Sequence, residues 1–118
     1  MRSFRSFETI LLHRLPVDGR KQINGLVILA QEAMRVNPVD GGLFVFVNKG
    51  RDTIRLLYWD KSGFAMWVKR LEKERFRWPL KMSEEVVHLA YKQLAWILDG
   101  LDIMQLQPHK PLHFSALT

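Results

Sequence analysis

"LFVFVNKGRDTIRLLYWDKSGFAMWVKRL", residues 43–71, decides the fold. Leu43 to Asn48 is a near-continuous run of β-favouring residues, which suits a central strand. Asn48 to Asp52 is turn chemistry. Thr53 to Asp60 reads as a second strand, with Ile54, Leu56 and Tyr58 on one face by the period of two. "DKSG" makes a tight connection at Asp60 to Gly63, and a third strand begins at Phe64. Strands joined through so few polar residues pair antiparallel. Trp67 alternates out of phase with Phe64, Met66 and Val68, which places it beside Lys69 as a candidate solvent-facing anchor for a protein partner.

Working outward, Phe7 to Leu15 has an apolar centre at Ile10, Leu11 and Leu12 and reads as a short strand. Asp18 can cap a helix that runs from Gly19 to Arg35, with Ile23, Leu26, Val27, Ala30, Ala33 and Met34 on one face. Asn37 precedes Pro38, a position that disfavours helix. On the other side, Lys73 and Glu74 give a turn, and "RFRWP" alternates, with Arg75 and Arg77 opposite Phe76 and Trp78. "VVHL" reads as a last short strand. A second helix spans Ala90 to Asp99 with Gly100 as its stop. The expected fold is α+β: one antiparallel sheet of four or five strands, with one long and one shorter helix covering one face. Leu26, Ala30, Phe44, Phe46, Leu56, Phe76, Leu94 and Leu98 are the expected common core. Residues 1–103 form the expected single domain. Residues 104–118, with two prolines and no acid, read as a loosely ordered basic tail.

The chain has 118 residues, 47% hydrophobic and 25% charged, the balance of a soluble globular domain. It has no cysteine, which excludes disulfides, thiolate metal sites and cysteine nucleophiles. No apolar run approaches the roughly 20 residues that span a bilayer, and no signal-peptide core is evident. A cytoplasmic location is the expectation. The net charge is +6. A positive field favours nucleic acid, an anionic membrane or an acidic protein, although many small basic domains bind none of these.

The charge concentrates in "FAMWVKRLEKERFRWPLK", Phe64 to Lys81. One reading makes it a hairpin whose aromatics feed the core while its cations merely solvate. The other makes the cations a phosphate-binding face. Catalysis is not expected. Asp18, Asp40, Asp52, Asp60 and Glu72 mostly flank turns, where acids cap, and no phosphate-binding loop or nucleophile motif is present. "HKPLH" places His109 and His113 at a helical zinc spacing, but Pro111 breaks the helix that spacing needs. Neither a metal nor a cofactor is expected.

The segments "DGRKQINGL", "NPVDGGLFVFVNKGRDTIRLLYWDKSGF", "KRLEKERFRWP" and "LAWILDGLD" occur in this order. Together they resemble the small accessory protein, TnpB or Orf2-like, of the insertion-sequence-66 family of bacterial transposable elements. Gly19, Arg55, Glu74 and Asp99 depart mildly from that family's pattern. The resemblance implies a non-catalytic part in transposition, with DNA or the element's transposase as partner. Arg51, Arg55, Lys69, Arg70, Lys73, Arg75 and Arg77 are the candidate DNA-binding residues, and Trp67 is the candidate contact for a protein partner.

Overall fold

The computed structural model of the protein describes residues 3–106. After a 3-10 turn at Phe4–Ser6, the elements are β1 (Thr9–His13), α1 (Ile23–Glu32), β2 (Gly42–Val47), β3 (Thr53–Asp60), β4 (Gly63–Arg70), β5 (Val86–His88), α2 (Tyr91–Leu98) and α3 (Ile103–Leu106). The strands form one sheet in the order β4-β3-β2-β1-β5. The α+β class and the strand count agree with the sequence reading.

Two features of the assembly differ from that reading. The β2–β3, β3–β4 and β1–β5 pairs are antiparallel, but β1 and β2 are parallel, so the sheet is mixed. A parallel pair requires a crossover over one face of the sheet, and α1 is that crossover. The helices consequently lie on opposite faces rather than one. On the α1 side, Leu26, Ala30 and Met34 pack on Leu11, Phe44, Phe46 and Leu57. On the other side, Leu94, Ile97, Leu98 and Ile103 pack with Leu12, Val45, Ile54, Leu56 and Phe76. The expected core residues are all buried, but in two layers. This double cover explains why residues 43–48 read as a continuous apolar run: every residue of β2 is buried.

The long helix is shorter than its apolar spacing predicts. Instead of capping a helix, the Asp18 carboxylate accepts the Arg20 amide at 2.9 Å and the Arg20 guanidinium at 2.8 Å, closing a local turn. That contact holds the Asp18 carboxyl far below the usual carboxylate range, chiefly through the hydrogen bonds from Arg20. The helix runs only from Ile23 to Glu32, and Arg35, three residues beyond its end, takes a left-handed conformation, φ 57°. In α2 the Gln93 side chain accepts the Ala90 amide at 2.8 Å. Gly100 follows at φ 85°, the stop expected from its lack of a Cβ.

Arg75 to Pro79 is not a strand. The segment joins no ladder and crosses one end of the sheet, past the β2–β3 turn and the end of β1. Bonds from Phe76 N–H to Arg51 O at 2.7 Å and from Trp78 Nε1–H to the carbonyls of Arg14 at 2.9 Å and His13 at 3.3 Å pin it, and just ahead of it Leu71 N–H bonds Asp52 O at 2.8 Å. The alternation predicted for a strand survives without the ladder. Phe76 is 1% exposed and Trp78 6%, while Arg75 and Arg77 face solvent. The 103/104 boundary expected between domain and tail falls inside α3, whose Ile103 is fully buried. The tail from residue 107, with the "HKPLH" histidines, lies outside the described residues.

Candidate functional site

The pinned segment builds the site. Arg51 sits in the β2–β3 turn, where Asn48 organises the chain: its side-chain oxygen accepts the Asp52 and Thr53 amides, each at 3.1 Å. Asn48 Nδ2 and the Thr53 hydroxyl donate to the Asp52 carboxylate at 2.7 and 3.1 Å. These donors hold the Asp52 carboxyl below its ordinary value, with the Arg70 charge adding a little. Arg51 itself takes a left-handed φ of 59°. A side chain there costs roughly 1–2 kcal/mol relative to the usual conformation. Its carbonyl receives Phe76 N–H, so turn and crossing segment are locked together.

Between them lies an open hollow of about 690 Å³. Four cations line it, Arg51, Lys73, Arg75 and Arg77, against two acids, Glu74 and Asp102. Phe76 and Trp78, both buried, complete the lining. Among the described residues the ion pairs are Arg20–Asp18 and Arg70–Glu72, so none of the four cations is neutralised by a direct partner. A second hollow of about 370 Å³ adjoins it, sharing Arg51, Trp78 and Asp102 and adding Lys81, Leu80 and Met104. Lys81 and Asp102 are additions that sequence reasoning did not place at the site. Lys81 belongs to the same basic run, and only the turn after Pro79 brings it round.

The other candidate cations are elsewhere. Arg55 is 7% exposed, on the α1 side of β3. Its guanidinium donates to the backbone carbonyls of Lys21 and, at 3.4 Å, Asp18. Burial lowers its pKa from the ordinary value, and nearby Asp18 offsets part of that. Arg55 therefore ties the start of α1 to the sheet and lies outside the hollow that gathers Arg51, Lys73, Arg75 and Arg77. Lys69 and Arg70 point to opposite faces of β4, as successive strand residues must. Lys69 Nζ donates to the Leu98 carbonyl at 2.8 Å, at the C-terminal end of α2 where a cation is favoured. Arg70 is exposed beside Glu72 at 3.4 Å. Trp67 is half-buried, packed edge-on to Phe4 with 6.3 Å between ring centres. The turn acids Asp18, Asp52 and Glu72 are each engaged by a neighbour. Among the described residues no three of His, Asp or Glu converge as a metal site would require.

Fold and site together define a small sheet-and-helix domain whose cations gather at one end of the sheet. The chain belongs to the family described as IS66 Orf2 like protein, whose model matches residues 8–108. It is thus an accessory Orf2-like protein of the IS66 insertion sequences, which are transposable elements. It is 36% identical over 93 residues to the uncharacterized protein y4jC of Sinorhizobium fredii, covering 79% of each chain. To the uncharacterized protein y4hO of the same organism it is 32% identical over 85 residues, covering 72% of this chain and 73% of that one. No solved structure matches it. Among the described residues, no helix is long and apolar enough to cross a membrane.

Proposed function

We propose that the protein assists transposition without catalysing it, by holding the phosphate backbone of DNA in the hollow between the β2–β3 turn and the 72–78 segment. The observation that carries this reading is the convergence of Arg51, Lys73, Arg75 and Arg77 on one open surface with no ion-pair partner among the described residues. Phosphates attract such cations whatever the base sequence, and binding releases counterions. The support beneath them is rigid. Phe76 and Trp78 anchor the segment in the core, and the Arg51 carbonyl fixes its distance from the turn. The aromatic rings are used for packing, so the site offers phosphate contacts rather than a stacking platform for unpaired bases. Sequence preference is accordingly weak.

The adaptor reading, in which the protein contacts the transposase through Trp67, has less support, because that indole is half-buried against Phe4. The experiment that separates the two is binding of mixed-sequence duplex DNA to the parent and to the Arg75→Ala, Arg77→Ala double variant. Circular dichroism verifies that the variant is folded. Weaker binding by the folded variant supports the hollow. Undiminished binding, or no binding by the parent at low salt, removes it.

A further inference from the structure

β4 leaves an open edge. It ends the sheet, and among the described residues nothing pairs with its outer side. The opposite edge, β5, has only three residues. By contrast β4 matches β3 residue for residue from Gly63 to Arg70. It contains no proline, and its charges, Lys69 and Arg70, sit together at one end. Monomeric proteins usually blunt so long an edge with a proline, a bulge or a central charge.

The phase of the ladder identifies the free backbone groups. Leu71 N–H donates to Asp52 O, one step beyond the Thr53–Arg70 pair. In an antiparallel ladder, bonded and non-bonded pairs alternate. Odd-numbered residues of β4 therefore turn their N–H and C=O towards β3. Phe64, Met66, Val68 and Arg70 turn theirs outward. The side chains of these residues share the α1 face, where Phe64 and Met66 are half-buried and Val68 is 52% exposed.

We propose that β4 pairs antiparallel with β4 of a second copy, about a two-fold axis through Met66, so that one sheet runs across both chains. The occupant is argued from self-complementarity. An axis normal to the sheet preserves its faces, so only residues on the same face can stand opposite each other. Centring on Met66 sets Phe64 against Val68 and Ala65 against Trp67, pairing each large ring with a smaller side chain. It sets Lys69 against Gly63 and Arg70 against Ser62, so no like charges meet. Centring on Ala65 would oppose Lys69 to Lys61. Centring on Trp67 would oppose the two indoles and place Arg70 against Phe64. Only outward-directed residues carry the new hydrogen bonds, and the β3–β4 ladder is untouched.

Because the chain has no cysteine, a single introduced thiol reports the register. In a bonded antiparallel pair the facing Cα atoms are about 5.5 Å apart, within disulfide range. Met66→Cys is expected to give a covalent dimer on oxidation or with a short thiol cross-linker. Val68→Cys places its thiols roughly 13 Å apart, four residues along the strand, and is expected to stay uncrosslinked. Should Met66→Cys not fold, Val68→Pro tests the same edge. The Val68 amide faces outward, so proline there leaves the β3 ladder bonded and is expected to convert a dimeric parent to a monomer with its β-sheet dichroism retained. Sedimentation showing a monomeric parent at its highest soluble concentration would overturn the proposal, as would Val68→Cys cross-linking as fast as Met66→Cys.

Discussion

Phe76→Ala probes whether the basic segment is built on a structural anchor. Phe76 is 1% exposed and packs in the α2-side core, although the strand that sequence alternation predicts there does not form. Its backbone N–H bond to Arg51 O does not depend on the side chain, so the loss expected is that of the ring. Deleting a core phenylalanine costs about 3–5 kcal/mol. A chain of 118 residues unfolds with an entropy of roughly 0.25 kcal/mol/K, so each kcal/mol moves Tm by about 4 °C. The expected fall is about 12–20 °C by differential scanning calorimetry. In urea, the midpoint should drop with the slope unchanged. Arg75→Ala and Arg77→Ala, one residue to either side and solvent-exposed, should each stay within about 0.5 kcal/mol of the parent. A Phe76→Ala variant losing less than about 1 kcal/mol would refute the anchor. Arginine variants as costly as the phenylalanine one would refute the division between floor and surface.

Arg55→Ala should destabilise by about 1–3 kcal/mol, because the Lys21 and Asp18 carbonyls lose their buried donor. Its DNA affinity should match the parent's once both are folded, as chemical denaturation and binding would establish. Lys61 occupies the β3–β4 connection at φ 57°. Lys61→Gly should relieve that conformation and raise stability by up to about 1 kcal/mol, measured as a shift in urea midpoint. Asp52 is held below its ordinary value of 3.8 by donors from Asn48 and Thr53. A carboxyl lowered on folding adds stability above that value and loses it as pH falls towards the folded one. Asp52→Asn should therefore flatten the decline in Tm on acidification below about pH 4.

The strands were largely legible because local chemistry sets them: Thr53 to Asp60 was read with its observed ends, and the other strands to within a few residues. The antiparallel pairing of β2 with β3 and of β3 with β4 was legible too, through the short polar turns that join them; the pairing of β1 was not. That β1 pairs parallel to β2 depends on α1 crossing one face, a tertiary choice that no local pattern encodes. The same choice split the core into two layers. Asp18 reads as a helix cap because acids commonly cap, but the neighbouring Arg20 engages its carboxylate instead. At the site, the alternation of Arg75, Phe76, Arg77 and Trp78 gave the correct sides for the wrong reason. Burial enforces the period of two even where no ladder exists. The charge of Arg55 was visible in the sequence and its burial was not. Arg51, Lys73, Arg75 and Arg77 gather because the Arg51 carbonyl binds a residue far along the chain, a contact that sequence spacing does not announce.

The salt dependence of DNA binding tests the central claim most directly. With four cations each neutralising a phosphate, the plot of log affinity against log salt should have a slope of about −3.6 on duplex DNA. That corresponds to a loss of roughly 150-fold between 50 and 200 mM salt, followed by fluorescence anisotropy. The Arg75→Ala, Arg77→Ala variant should show a slope of about −1.8, with the same reduction on unrelated sequences. A parent that does not bind at low salt, or a folded variant whose slope equals the parent's, would contradict the account.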